Sequence, residues 1–345
     1  MTTSFKGNGL ATAVGSMPHT DPDEACSLIL RYLPEIPVWP QLPNRSFNEN
    51  MYVQFSEGLP GVVITDNRIY VDNREDLSNS LEALYTAYLE DAVDRSQVGK
   101  DYAAGLHAFV EMGAKKALAV KGQVIGPISF GLSVTDTNKR PLLYDDILAD
   151  AIAKHLRLKA GWQEKLLKTI APRTIVFLDE PYLASVGSAF VSIPQAQMTS
   201  LLDEVLAGIN GLKGIHCCGN TDWSVLLSTS IDILSFDAYT YGESLALYPT
   251  DLKRFLERGG NIAWGIVPVD GKALAGETVD TLLARLENLF DALESKGIDR
   301  DLLASNCLIT PSCGLASLSP GVAVSALELL AGVSREFRAR ISLKQ

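Results

Sequence analysis

The sequence is poor in the features that mark several classes of protein. It has 30 lysines and arginines against 41 aspartates and glutamates, a formal net charge of -11. Such a charge repels nucleic-acid backbones and anionic lipid surfaces. No apolar run is long enough to span a bilayer, and the first residues lack the apolar segment of a secretory signal. We therefore expect a cytoplasmic protein with neither nucleic acid nor membrane as a partner.

Cysteine is also scarce, with five residues among 345. Five scattered cysteines in so large a chain do not resemble the disulfide framework of small secreted domains. Each is therefore a core residue or a metal or catalytic ligand. The dinucleotide fingerprint, P-loop, nucleophile-elbow serine, His-Glu-x-x-His and Cys-x-x-Cys motifs are all missing. Their absence removes the commonest motif-based assignments.

Short β-branched runs alternate with longer segments of helical period along the chain. We predict eight strands, at Leu10–Gly15, Val38–Leu42, Ala117–Gly122, Thr174–Leu178, Lys213–Cys217, Asp232–Phe236, Asn261–Ile266 and Cys307–Thr310. This alternation predicts an α/β fold, a single TIM (β/α)8 barrel domain over residues 1–345. Gly61–Ile64 and Arg68–Val71 flank a turn and predict a β-hairpin inserted after the second strand. The alternative, a doubly wound sheet, leaves the eighth strand unexplained.

Polar side chains collect where the predicted strands end. The fourth strand ends in Asp179-Glu180-Pro181 and the fifth in His216-Cys217-Cys218. The sixth ends in Asp237 and the eighth in Pro311-Ser312-Cys313. In a barrel, the carboxyl ends of the strands form the rim where the chemistry takes place. The sequence therefore predicts a functional site at this rim.

One histidine and two cysteines at the rim form a candidate metal site. His216 and Cys218 are two residues apart, so both side chains project to the same side of a strand. Cys313 can reach the same point from another strand, and this combination is a recurrent zinc set. Two thiolates make zinc a poor generator of hydroxide but suit it to activating a substrate thiol. The predicted chemistry is alkyl transfer to sulfur; the alternative is that these are ordinary core residues.

Other rim residues have two interpretations each. Asp179 and Glu180 point in opposite directions, so one of them can hold a substrate ammonium group or form a structural ion pair. Asp237 is either a removable fourth zinc ligand or a helix N-cap. Ser16 either presents its hydroxyl and backbone N–H to a carboxylate or forms an ordinary turn.

Five motifs occur in an order that resembles the catalytic, C-terminal domain of cobalamin-independent methionine synthases. They are Val14–Thr20, Lys121–Pro127, Leu178–Pro181, Ile215–Cys218 and Pro311–Leu315. That domain belongs to a superfamily that includes uroporphyrinogen decarboxylase and the zinc-dependent coenzyme M methyltransferases. The resemblance runs over most of the chain. Its most specific part is His-x-Cys together with the distal Cys-Gly-Leu.

The resemblance implies roles for the residues that match its motifs. His216, Cys218 and Cys313 match the zinc ligands, and Asp237 stands where the family has a glutamate as fourth ligand. A shorter side chain at that position puts this role in doubt.

The resemblance also implies how an amino-acid substrate is held. Asp179 matches the residue that binds the amino group of homocysteine, and Ser16 matches one near its carboxylate. A further glutamate of the family, in a His-Gly-Glu segment, has no clear equivalent here. Glu49 is only a candidate for it.

Methyl transfer to the thiol of L-homocysteine, forming methionine, is the activity that the resemblance implies. The chain corresponds to the catalytic barrel without the folate-binding N-terminal barrel. For such short forms the resemblance implies methylcobalamin or a methylated corrinoid protein as the donor, not tightly bound. We therefore expect Zn2+ as the cofactor. The alternatives are a methyl-corrinoid methyltransferase acting on another small thiol such as coenzyme M, a non-catalytic barrel, and porphyrinogen decarboxylation.

Overall fold

The computed structural model describes residues 5–188 and 191–342. The strands in this part of the chain are Leu10–Ala11 (β1), Val62–Thr65 (β2), Arg68–Val71 (β3), Val120–Ile125 (β4), Thr135–Asp136 (β5), Thr174–Asp179 (β6), Leu212–Cys217 (β7), Ile233–Phe236 (β8), Asn261–Val267 (β9) and Cys307–Pro311 (β10). Most of the predicted strands are present, with ends that differ by a few residues.

The strands alternate with helices. The α-helices are Pro22–Tyr32 (α1), Met51–Gln54 (α2), Ser78–Leu89 (α3), Ala104–Met112 (α4), Pro127–Ser133 (α5), Asp146–Leu167 (α6), Gln195–Leu206 (α7), Trp223–Ser228 (α8), Ala238–Tyr241 (α9), Pro249–Glu257 (α10), Gly271–Ala275 (α11), Val279–Glu294 (α12), Arg300–Ser305 (α13) and Pro320–Ser342 (α14). Single 3-10 turns are Phe47–Glu49, Val93–Arg95, Leu142–Tyr144, Pro181–Ser185 and Gly242–Leu247. No helix in the described part is long and apolar enough to cross a membrane.

Seven parallel strands form one curled sheet in the order β1-β10-β9-β8-β7-β6-β4. Helices pack against it, with α6 contacting β4 and α14 contacting both β1 and β10. Parallel strands covered by the helices that connect them form an α/β fold. This arrangement is consistent with a barrel of the TIM type.

The predicted second strand, Val38–Leu42, is reduced to two isolated bridges. Val38 pairs in parallel with Lys121 of β4, and Gln41 pairs in parallel with Ser16, just after β1. The segment therefore lies between the two edge strands of the sheet. Pro40 interrupts the segment, and Pro37 and Pro43 flank it. A proline has no backbone N–H to donate to a neighbouring strand. This proline-interrupted seam is where the structure departs from a regular eight-stranded barrel.

A second, small sheet lies outside the curled one. β2 and β3 pair antiparallel, with Val62 opposite Val71 and Thr65 opposite Arg68. β3 also pairs in parallel with β5, which makes this sheet three-stranded. Both β2 and β3 belong to the long connection that precedes β4.

Successive side chains of the curled sheet face opposite sides. Val176 and Leu178 of β6 belong to the main core, whereas Ile175 and Phe177 belong to a smaller apolar cluster. That cluster forms the floor of the concave side and comprises Phe5, Leu10, Ile36, Ala119, Ile175, Phe177, Ile233, Ala263 and Leu308. Towards the carboxyl ends, the same alternation places buried polar side chains on this side: Thr12, Lys121, Gln123, Asp179, His216, Ser235, Thr310 and Ser312. The interior therefore changes from apolar to polar along the strands.

Candidate metal centre

Three potential metal ligands converge at the carboxyl ends of two strands. His216 lies near the end of β7, Cys218 follows it, and Cys313 follows the end of β10. Their ligand atoms all lie within 4.8 Å of one another. Within residues 5–188 and 191–342, no other group of three or more His, Cys, Asp or Glu side chains converges in this way.

The two ring nitrogens of His216 have different surroundings. Nδ1 lies 3.0 Å from Ser235 Oγ on β8, whereas Nε2 is buried and has no hydrogen-bond partner. Burial lowers the pKa of His216 to about 3, so the ring is neutral. When Nδ1–H donates to Ser235, Nε2 carries a free lone pair, as in a ligating histidine held by a second residue. A buried acceptor without a partner is costly, and a metal ion would remove that cost.

The two thiols of the group are coupled to each other. Cys218 and Cys313 share a hydrogen bond, which lowers the pKa of Cys218 to about 7. The same hydrogen bond raises the pKa of Cys313. The pair therefore loses its first proton near neutral pH, and the thiolate is the form of cysteine that binds zinc.

The other three cysteines are core residues. Cys217, between the two β7-side ligands, is fully buried in the main core, on the other face of the strand. Cys26 and Cys307 are fully buried as well. The candidate site therefore includes only Cys218 and Cys313, the two cysteines that follow strand ends.

Asp237 follows β8 but is not among the converging ligand atoms. Its Oδ1 accepts a hydrogen bond from the backbone N–H of Thr240 at 2.9 Å and caps the first turn of α9. Burial raises the pKa of Asp237, and the N–H groups it accepts from oppose this shift. Of its two predicted roles, the structure shows the N-cap.

The adjacent carboxylates after β6 have different roles. Glu180 accepts hydrogen bonds from the backbone N–H groups of Ile128 and Ser129, at 2.9 and 2.8 Å, and from Ser129 Oγ at 2.6 Å. It therefore holds the N-terminal end of α5. Asp179 is also buried, but its Oδ1 has no partner. Asp179 is thus the carboxylate that keeps an oxygen available for a ligand.

Sequence comparison identifies one curated relative, the methionine synthase of Methanocaldococcus jannaschii. It is 26% identical over 217 residues, which are 61% of this chain and 62% of that protein. This chain is therefore similar to a methionine synthase over part of its length. The resemblance predicted from the five motifs is therefore confirmed, although the match spans less than two thirds of the curated relative. No family model matches the chain.

Two solved structures show a fold similar to that of this chain. A B12-independent methionine synthase from Shewanella sp. W3-18-1, in complex with selenomethionine, gives a TM-score of 0.59 at 16% identity, covering 97% of this chain and 99% of that one. A methyltransferase from Methanosarcina mazei gives a TM-score of 0.57 at 15% identity, covering 95% of this chain and 93% of that one. At such identities the likeness concerns the fold.

Ser16 lies against the turn that follows Cys313. Its backbone oxygen accepts a hydrogen bond from Leu315 N–H at 2.9 Å. A Cβ atom at Gly314 would lie 2.0 Å from Ser16 Oγ, so the two residues approach closely. The structure therefore places Ser16 beside the turn that follows Cys313.

Glu49 lies in the short turn Phe47–Glu49 and is buried. Its Oε1 accepts a hydrogen bond from Arg45 Nη1 at 2.9 Å, so its charge is balanced within its own segment. Burial raises the pKa of Glu49, and Arg45 opposes this shift. Its carboxylate is not among the atoms that converge with His216.

Lys121 is a site residue that the sequence interpretation did not select. It is fully buried on β4, its Nζ donates to Val14 O at 2.7 Å, and it lies 4.3 Å from the centre of the Phe177 ring. Burial lowers the pKa of Lys121 to about 8, and the charge of Asp179 opposes the shift. A lysine in the middle of an otherwise uncharged strand was the available signal, because lysine is almost never fully buried without a partner.

Gly126, in the Lys121–Pro127 motif, packs closely against Glu180, in the Leu178–Pro181 motif. A Cβ atom at Gly126 would lie 2.1 Å from Glu180 Oε1. Gly126→Ala should displace Glu180 from α5 and lower the free energy of unfolding by about 2–4 kcal/mol. Denaturant unfolding measures this. Gly271→Ala is the matched control, because no atom lies within 4 Å of the added Cβ; equal stability of the two variants would contradict the packing argument.

Proposed function

We propose that this protein is a zinc-dependent methyltransferase that transfers a methyl group to the thiol of L-homocysteine and forms methionine. The observation that carries the proposal is the convergence of His216, Cys218 and Cys313 in a relative of methionine synthase. A thiol-rich metal site favours chemistry on sulfur over hydrolysis. The selenomethionine bound by the Shewanella neighbour supports an amino-acid product.

The side chains of the group suit zinc. A buried Nε2 without a partner and two coupled thiols supply three ligands of the kinds that zinc prefers. A three-ligand site leaves a fourth position for substrate. When bound there, zinc lowers the pKa of the substrate thiol and leaves the thiolate nucleophilic. Ser235 then fixes the ring orientation of His216 through Nδ1.

Asp179 and Ser16 suit the two charged ends of an amino acid. The free oxygen of Asp179 can accept hydrogen bonds from an ammonium group, and Ser16 lies beside Gly314, next to Cys313. A sulfonated thiol without an amino group would leave the buried Asp179 unpaired, which is costly. This favours homocysteine over a coenzyme M-like acceptor.

We propose that the fourth zinc position belongs to the substrate rather than to Asp237. The carboxylate of Asp237 already caps α9. Asp237→Asn, which keeps a capping side chain, should therefore retain stoichiometric zinc with an affinity within about threefold of the wild type. Competition with a chromophoric chelator measures this affinity. Asp222→Asn, at the N-cap of α8, is the control; a tenfold loss confined to Asp237→Asn would restore Asp237 as a ligand.

A methyl-corrinoid donor stays a prediction. The decisive assay follows methionine formation from L-homocysteine with methylcobalamin, with a methylated corrinoid protein, and with a methylated folate, alongside zinc content. Turnover with either corrinoid donor supports the predicted donor class, and turnover with folate alone replaces it. Zinc-loaded protein that methylates coenzyme M but not homocysteine would overturn the proposed acceptor.

A further inference from the structure

Lys121 carries a charge in a place where a charge is costly. Its side chain is 0% exposed on the concave side of the sheet, directly above the apolar floor. A buried ammonium persists only where hydrogen bonds and an opposite charge stabilise it. Here Nζ donates to Val14 O at 2.7 Å and lies 3.4 Å from Gln123 Oε1, with Asp179 as the nearby negative charge.

These contacts cross the proline-interrupted seam. β1 and β4 are the edge strands of the curled sheet, and the Val38–Gln41 segment between them makes one isolated bridge to each side. The Lys121 side chain reaches directly from β4 to Val14, three residues beyond the end of β1. It therefore adds a side-chain cross-link to the backbone hydrogen bonds that the Val38–Gln41 segment makes with both sides.

The segment that follows β1 leads directly into the proposed substrate site. Val14 is followed by Gly15, which has a φ of +145° and whose added Cβ would lie 2.6 Å from the Gln123 side chain. Ser16 comes next and abuts Gly314 beside Cys313. Lys121 and Gln123 thus hold the Val14–Ser16 turn from inside the sheet, while the charge of Lys121 acts on Asp179.

We propose that Lys121 is a positioning residue that sets the geometry of the amino-acid subsite, by fixing Ser16 relative to Asp179 across the seam. This inference rests on the proposed function, because it assumes a substrate with both an ammonium and a carboxylate group. Lys121 is not one of the candidate zinc ligands, and its hydrogen bonds go to Val14 and Gln123. Its removal should therefore weaken recognition of the amino acid and leave the metal and the reactivity of the bound thiolate in place.

The test uses the zinc-loaded Lys121→Met protein, which keeps the length of the side chain and loses its charge and hydrogen bonds. We expect the Kd for L-homocysteine, from calorimetry, and the KM to rise by about 30-fold or more. Zinc content and kcat should change by less than about threefold. The affinity for 3-aminopropane-1-thiol, which lacks the carboxylate assigned to Ser16, should fall much less. Lys121→Arg should restore part of the affinity.

Lys159→Met is the matched control. Lys159 is also a buried lysine, with a pKa lowered to about 8 by burial and Nζ donating to Gln97 O at 2.8 Å, but it lies on α6. The Lys159→Met protein should bind homocysteine with the affinity of the wild type. Should Lys121→Met fail to fold, Lys121→Gln is measured in its place, with the same expectation.

The outcomes separate this inference from the proposed function. Wild-type protein that does not bind homocysteine would overturn the proposed substrate and the inference with it. Normal wild-type binding with an unchanged Kd in the Lys121 variants would overturn the inference alone. Equal losses for both thiols, with loss of zinc, would reduce Lys121 to a general structural role and also overturn it.

Discussion

Replacing Cys313 by alanine should abolish stoichiometric zinc binding and reduce methionine formation by about 1000-fold or more. The reason is that Cys313 is one of three converging ligands from two strands, and zinc sites lose affinity steeply when a ligand is removed. Metal analysis of protein purified without chelators, together with the methyltransfer assay, measures both effects. His216→Ala and Cys218→Ala should behave in the same way.

Cys217→Ala is the matched control for that loss. Cys217 is the sequence neighbour of two ligands, but its side chain is buried in the main core on the opposite face of β7. It should keep zinc and activity and lose about 1 kcal/mol of stability through the small cavity. Full zinc content in Cys313→Ala, or equal zinc loss in Cys217→Ala, would contradict the assignment of His216, Cys218 and Cys313 as zinc ligands.

Asp179→Asn should raise the KM for L-homocysteine by about 100-fold or more while zinc content stays at the wild-type level. Truncating the charge of a buried ion pair costs about 2–5 kcal/mol, much of it from the unpaired partner. Steady-state kinetics and metal analysis measure the two effects.

Glu180→Gln separates the role of Asp179 from that of its neighbour. Glu180 accepts three hydrogen bonds at the start of α5, and an amide cannot accept all of them. This variant should lose stability, while its KM for homocysteine changes by only a few fold. If Glu180→Gln raised the KM as much as Asp179→Asn, the amino-group role would move to Glu180 or be shared.

The sequence alone determined the parts of this protein that depend on local periodicity. A strand of period two places His216 and Cys218 on one face and Cys217 on the other, and the structure confirms this. The order of strands and helices determined the α/β class, because each element's apolar pattern has to be covered by the next. The convergence of Cys313 on the same point followed from parallel strands ending at a common rim.

Only the tertiary structure decided which of several suitable side chains are free to act. Asp179 and Glu180 are equivalent by sequence, but the backbone N–H groups of a distant helix occupy Glu180. Asp237 caps its own helix, whereas a ligand role would have needed convergence with three residues on other elements. The ammonium group of Lys121 donates a hydrogen bond to the backbone oxygen of Val14, more than a hundred residues earlier in the chain. Such pairings depend on contacts between remote segments, and local pattern cannot encode them.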